Sequence, residues 1–410
     1  MPTRVVFRIV FLSLILLVPL GIWLAPSTVA WLFAGIFFFA PLWLPLLLFA
    51  ILAPLWITYV RSQYVFNVPY TTLELKPGEL TPKSARAMEL VFYSLHHRTT
   101  ISRTKEILFG EMRLPWSFEI AVTEGTVRFF MRIPKAHRQA LELRIRAEYR
   151  DIDIDEVRDY AREVSFDPIS MDLESREYTL HKPDPYPLKT YEAHEAEKKP
   201  HNPFTEFLED LVSVGENEHL YISYIIRPHQ RSRKHFWQRA KDTLHTDAQE
   251  EIAKIIGVGG DLRQVPEGKQ RVVRAIEQAL KKPSFDCGIR AIYFASKKAY
   301  NENNAAKLDT LFNRFSDVEL NEFASHDPRQ HVGWPLSDIF AAIPWLKEMY
   351  LHHLYRRRAY FVPPYYGDMF VLNTAELATV YHLPHITGAS VLARGSGKRL
   401  EPPENLPISA

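Results

Sequence analysis

The chain has 410 residues, with 50 Lys and Arg against 48 Asp and Glu for a formal net charge of +2, and one cysteine, Cys287. So nearly balanced a charge excludes a protein built to coat nucleic acid along its length. A lone cysteine excludes an intrachain disulfide and a thiolate-rich metal site, which fits a reducing cytoplasmic compartment.

The first 60 residues hold two charge-free apolar runs, 9–24 and 29–60, separated by Ala25, Pro26, Ser27 and Thr28. Runs of about 18 or more apolar residues have no cheap home in water and read as membrane spans. The first run is near the lower limit. The second, about 48 Å long if wholly helical, exceeds a hydrocarbon core of about 30 Å. It must tilt, kink at Pro41, Pro45 or Pro54, or emerge into the interface. Arg4 and Arg8 ahead of an apolar stretch also suit a cleaved leader, but a second run follows at once without a clear small-x-small cleavage site. The expectation is a two-helix transmembrane hairpin over 1–62. Arg4, Arg8 and Arg61 flank it and its turn carries no Lys or Arg, so both ends are expected in the cytoplasm. Trp23, Trp31, Trp56 and Tyr59 fall near the expected interfaces.

A first soluble segment, 63–182, reads as α+β. Residues 82–97 place Ala85, Met88, Val91, Phe92 and Leu95 at helical spacing, with Thr81 as cap and Pro82 at the first helical position. Residues 116–123 and 126–133 alternate apolar and polar around Glu124 and Gly125, a hairpin signal. Residues 135–149 predict a helix, and the strict alternation of 152–157 predicts a half-exposed strand. Then 183–202, opening on Pro183, Pro185 and Pro187 and continuing as charge without apolar period, reads as a linker.

The second segment, 203–328, predicts a helix over 204–214, a strand over 219–226, a basic helix over 232–243 and a helix over 270–281. A strand over 286–295, with Cys287 buried in it, and a helix over 297–315 follow. Residues 128–157 and 290–323 share an order: strand, helix, an aromatic (Tyr149 or Phe315), then an acidic strand start at Asp151 or Asp317. The expectation is two copies of a ferredoxin-like unit, although strand–helix–strand order also recurs by chance. The remainder, 329–410, contains a helix over 343–358 and a capped short helix over 373–384, with Asn373 or Thr374 as cap and Pro384 as stop. It is expected to be a docking segment.

The stretch 372–384 (Leu-Asn-Thr-Ala-Glu-Leu-Ala-Thr-Val-Tyr-His-Leu-Pro) and the closing Pro-Pro-Glu-Asn-Leu-Pro of 402–407 resemble the segment upstream of the ATPase domain in bacterial type IV secretion and conjugation coupling-type ATPases. Short pieces at 82–95, 118–120, 149–160, 218–228 and 290–295 agree with that family in order. The resemblance implies the membrane-anchored N-terminal region of such a protein, at the bacterial cytoplasmic membrane, without its motor. Gly395, Gly397 and Lys398 fail as a phosphate-binding loop, since position 392 is Leu and position 399 is Arg where Gly and Ser or Thr are needed. A separate P-loop ATPase is therefore the implied partner, with Glu376, Leu377, His382 and Pro384 as docking residues and homo-oligomers allowed. A general membrane scaffold, or a membrane enzyme with an unrecognised site, is the alternative.

No nucleophile, metal-ligand or dinucleotide motif stands out; His352, His353, His382 and His385 lack a carboxylate cluster, and neither catalytic residue nor cofactor is assigned. Arg227, Arg231, Arg233, Lys234, Trp237, Arg239 and Lys241 form a basic cluster, and Arg356, Arg357 and Arg358 a second. Either could contact DNA phosphates or anionic lipid, or be a solvated helix face.

Overall fold

The computed structural model describes residues 26–78, 84–96, 101–196, 202–230, 243–257, 260, 264–328, 343–362 and 365–384. The expected first span, 9–24, lies outside them. Two helices open the described chain, α1 (Pro26–Phe38) and α2 (Ala40–Asn67). The expected turn at 25–28 is thus helical from Pro26, and the break comes at Phe39 instead. The cause is Pro41: with no amide hydrogen it cannot bond the carbonyl four residues back, so the helix restarts with proline in its first turn. Pro45 and Pro54 lie inside α2 without ending it. Among the described residues α2 is the one helix long and apolar enough to cross a membrane. Its charge-free part, 40–60, is about 32 Å long, close to the hydrocarbon thickness of about 30 Å. Leu46, Phe49, Leu52 and Leu55 on it are exposed.

Below α2 the chain is mixed α+β around one mainly antiparallel sheet. The first half contributes β1 (Tyr70–Pro77), α3 (Arg86–Leu95), α4 (Arg103–Leu108), β2 (Trp116–Thr123), β3 (Thr126–Pro134), α5 (Arg138–Glu148) and β4 (Ile152–Val157). The second half contributes β5 (Met171–Leu180), α6 (Tyr191–Ala196), α7 (Pro203–Leu211), β6 (Glu218–Pro228), α8 (Thr243–Ile256), α9 (Glu267–Ala279), β7 (Ser284–Ser296), α10 (Glu302–Thr310) and β8 (Phe323–His326). Strand order is β4-β1-β3-β2-β6-β7-β5-β8. The two halves meet where β2 pairs with β6 in unbroken register from Trp116 opposite Ile226 to Thr123 opposite His219. The β2–β3 hairpin turns on Glu124 (φ 53°) and Gly125 (φ 72°), a two-residue turn with positive φ at both positions.

The last part is α11 (Pro344–Arg357), the strands β9 (Phe361–Val362), β10 (Tyr365–Tyr366) and β11 (Phe370–Asn373), and α12 (Thr374–Val380). It departs from the expected docking segment because it completes the body. β11 pairs with β7 from Phe370 opposite Cys287 to Asn373 opposite Ser284. Residues of α12 join the main core, which gathers one face of the sheet with α3, α5, α7 and α10. The expected linker differs too: within its described part, Leu188 and Tyr191 are buried, and their amides donate to Glu376 Oε1 at 2.6 Å and Thr379 Oγ1 at 2.8 Å.

The second face of the sheet is covered by α11 and the strap that follows it. Here apolar Phe130, Tyr221, Ile292 and Phe294 pack with Leu351 and Tyr355. Two buried ion pairs sit among them. Arg358 donates to both carboxylate oxygens of Glu119 and both of Asp159, each at 2.8 Å. Arg290 donates through Nε to Glu177 at 2.9 Å, and Tyr365 Oη donates to the same carboxylate at 2.7 Å. The strap from Arg358 to Tyr365 is thereby fastened to β2 at one end and to β5 at the other. Between them Tyr360 lies flat on Gly288, where a Cβ would sit 2.2 Å from the ring.

Candidate functional site

The end of α2 is seated in the body rather than dangling from it. Trp56 Nε1 donates to the Ile107 carbonyl at 3.2 Å, and Arg61 pairs with Glu106 at 2.6 Å. Val60 is buried beside Gly110, whose φ of +67° and absent Cβ let the backbone come against the Val60 carbonyl. Two turns further on, Val65, Phe66 and Val68 form one wall of a cavity of about 490 Å³, within the size range of small-ligand sites.

The opposite walls come from the second face of the sheet and from the start of the strap. Tyr70, Thr71 and Thr72 of β1, Trp116 and Ser117 of β2, and Arg132 of β3 line it, with Glu156, Asp159, Arg162, Arg357 and Arg358. Strand pairing explains the grouping: Thr72 and Ser117 stand on either side of Arg132 in the sheet, so all three project to the same face. Five cations, counting Lys135, face two carboxylates in this lining. Much of the negative charge is already committed. Asp159 holds Arg358, and Glu156 accepts from Thr71 at 2.7 Å and pairs with Arg138. Burial alone would raise the Asp159 carboxyl, but the Arg358 guanidinium outweighs it and holds the group below its usual range.

Arg132 is different. Its guanidinium lies over the Tyr70 ring at 4.2 Å, and among the described residues it forms no hydrogen bond or ion pair with a carboxylate. Burial, reinforced by the nearby Arg358, pushes its pKa down to about 10, so it still carries its proton at neutral pH. Arg357 is exposed and lies over Phe66 at 4.9 Å.

Of the basic residues expected to meet a polyanion, Arg357 and Arg358 are the described ones that reach this cavity. Arg358 is buried in its ion pairs and Arg356 lines a separate cavity of about 340 Å³ beside α11. Arg227 is spent on Asp286 at 2.9 Å and on the Phe361 ring at 4.5 Å. Arg231, Arg233, Lys234, Trp237, Arg239 and Lys241 lie outside the described residues. The expected docking residues are corrected by burial. Glu376 closes a capping box with Asn373, Leu377 is in the core, and His382 stacks on Phe204 at 4.2 Å, so all three serve the protein's own interior. Burial pushes the Glu376 carboxyl up to about 7 and the His382 imidazole down to about 4. Pro384 is half-buried at the end of the described chain.

Sequence reasoning missed Arg132, Lys135 and Arg162. Arg128 and Arg132 share one face of β3 with Phe130 between them. That spacing alone does not separate an arginine with an acid partner from one without: Arg128 has Glu74 at 2.7 Å. Among the described residues no group of three or more His, Cys, Asp or Glu side chains is placed to hold a metal.

These features define a class: an antiparallel α+β body carried on an apolar helix. A family model described as Domain of unknown function (DUF8128) matches residues 69–387, so the chain belongs to that family. The match takes in the whole sheet and α12 and begins just after α2. No curated protein matches the chain.

Proposed function

We propose that the chain is a membrane-anchored, non-enzymatic platform, with α2 crossing the bilayer and the body held against its cytoplasmic side. One observation carries this reading: α2 exposes its charge-free length, while its last turns are fixed to the body through Trp56, Val60 and Arg61. A soluble core helix would be buried; a flexible tether would not be seated. Leu108 and Phe109 are exposed next to Ile107, at the level of Trp56 and Tyr59, where amphipathic side chains favour a bilayer interface. Arg61 and Lys105 follow on the same side, which by the positive-inside rule favours the cytoplasm. A span supplied by 9–24 would make the anchor two-pass.

The body on this reading is two ferredoxin-like units joined edge to edge. Its support is the strand order, since β4-β1-β3-β2 and β8-β5-β7-β6 repeat one arrangement, although the second half inserts α8 and α9 between β6 and β7 where the first half has the β2–β3 hairpin. The resemblance to the N-terminal region of conjugation ATPases supports a finer role: seating a separate P-loop ATPase of a type IV secretion or conjugation-like system at the bacterial cytoplasmic membrane.

The test is cysteine accessibility in a bacterial host. Cys287 is buried and its thiol pKa raised by that burial, so it gives little background. With Glu216→Cys, on an exposed turn, the chain should stay in membranes through an alkaline wash. An impermeant maleimide should label it only after the cells are opened. Release by the wash sinks the anchor, and labelling of intact cells sinks the orientation. The partner is tested by mild detergent extraction, with a P-loop ATPase co-eluting and lost on deleting 385–410. The deletion must begin after Pro384, because 365–384 belongs to the core.

A further inference from the structure

We propose that the cavity at the foot of α2 binds the phosphate group of a small ligand, with Arg132 and Arg357 as its principal cations. The argument begins from how this fold treats its other interior arginines. Arg290 has Glu177, Arg358 has Glu119 and Asp159, and Arg113 has the Pro228 carbonyl and Asp286. Each is neutralised or hydrogen-bonded inside the protein. Arg132, half-buried on β3, lies over the Tyr70 ring and among the described residues makes no hydrogen bond or ion pair with a carboxylate. Glu119 and Asp159 act on it only through their charge at longer range. An uncompensated guanidinium in a low-dielectric setting costs stability, and its planar fork is shaped for two oxygens of one anion.

The surroundings supply the rest of such a site. Lys135 is 4.0 Å from Glu156, a loose pair, and Arg162 reaches Asp159 only at 3.5 Å, so both rim cations can turn toward a ligand. Thr72 flanks Arg132 with a hydroxyl that suits a phosphate oxygen, while the Ser117 hydroxyl on the other side already donates to Glu119. The far wall of Val65, Phe66 and Val68 is apolar, so the ligand presents its phosphate to the sheet and an uncharged part to the end of α2. A volume of about 490 Å³ accommodates a compact phosphoester but no extended polymer. The wall on α2 lies about 15 Å along the helix from Trp56, within reach of a headgroup entering from the bilayer as well as of a solute from the water.

The phosphate is thus either that of an anionic phospholipid or that of a soluble molecule, and the experiment has an arm for each. Thermal unfolding of the full chain is followed in neutral detergent with and without inorganic pyrophosphate. It is then followed in nanodiscs of phosphatidylcholine with and without phosphatidylglycerol. A rise in Tm with pyrophosphate identifies a soluble source; a rise only with phosphatidylglycerol identifies lipid. In either arm Arg132→Met should abolish the rise and weaken binding at least about tenfold, the loss expected for one charge-assisted anchor. Because that change removes an unpaired charge, Tm without phosphate should hold or increase. Should Arg132→Met fail to fold, Arg357→Gln, on the exposed end of α11, gives the same readout. A Tm unmoved by both phosphates, or a rise that both variants retain, overturns the proposal. The pyrophosphate arm needs no membrane, so the site can stand if α2 proves not to span one.

Discussion

Arg358 shows how much one residue can be asked to hold. Its backbone is left-handed (φ 49°), a conformation that costs a residue with a side chain about 1 kcal/mol, and it ends α11 there. The four hydrogen bonds to Glu119 and Asp159 keep it in place. Arg358→Met should therefore cost about 3–5 kcal/mol, because it leaves Glu119 buried without a counter-charge. The double variant Glu119→Leu with Arg358→Met should recover much of that loss in the same denaturation assay, and failure to recover would count against the assignment. Gly288→Ala drives a methyl into the Tyr360 ring and should cost about 1–3 kcal/mol. Glu376 makes a pH prediction. Its folded pKa of about 7 lies above the ordinary 4.5, so the folded state holds the proton more tightly and stability falls as pH rises from 4.5 to 7. Buried His382 and His352, both lowered to about 4, act in the opposite sense below 6.5. Glu376→Gln should remove the downward component, making stability rise more steeply with pH across that window; an unchanged slope would show that Glu376 titrates normally.

At the level of elements, the joint between α2 and α4 sets how the body sits. Gly110→Ala would force a Cβ to 2.3 Å from the Val60 carbonyl at a φ that disfavours alanine. The expected result is faster limited proteolysis between 61 and 70 with the sheet intact, whereas unchanged cleavage would mean that the seat is not needed. Which elements the sequence discloses follows from the same physics. Strands β2, β3, β4 and β7 were legible because alternation or near-continuous apolarity announces them, and α12 because Asn373 and Glu376 form a capping box. Strands β1 and β5 were not, and each is the first strand of its half. In β5, Arg176 pairs with Glu174 and with Asp309, while Glu177 faces the buried second side of the sheet. With charge on both faces, no period of two survives. The expected helix over 297–315 is interrupted, its middle forming α10 with Asn301 as cap. The strand expected to start at Asp317 begins only at Phe323. The cavity was half legible: Arg357 and Arg358 stood out as a run, but nothing local tells that Arg132 lacks an acid.

For the whole molecule, the β2–β6 seam matters most. Eight consecutive residue pairs cross it, and the strap ties Glu119 to Glu177 through its two ends, so 63–182 and 203–328 should not melt apart. Calorimetry of the detergent-solubilised chain should give one transition for the sheet; two separable transitions would mean that the halves are independent. Then there is the matter of timing. α12 sits against α3, with Thr374 touching Glu89 at 3.3 Å across 285 positions of chain. On a ribosome, the apolar stretch around 40–60 emerges early, while the last piece of the interior is still hundreds of codons away. The nascent first half must wait, greasy face bare, until nearly everything has been synthesised. On the proposed reading, in which α2 is already in the bilayer by then, such a chain would wait in comparative isolation from its siblings, and the anchor would guard against clumping before it serves any finished protein.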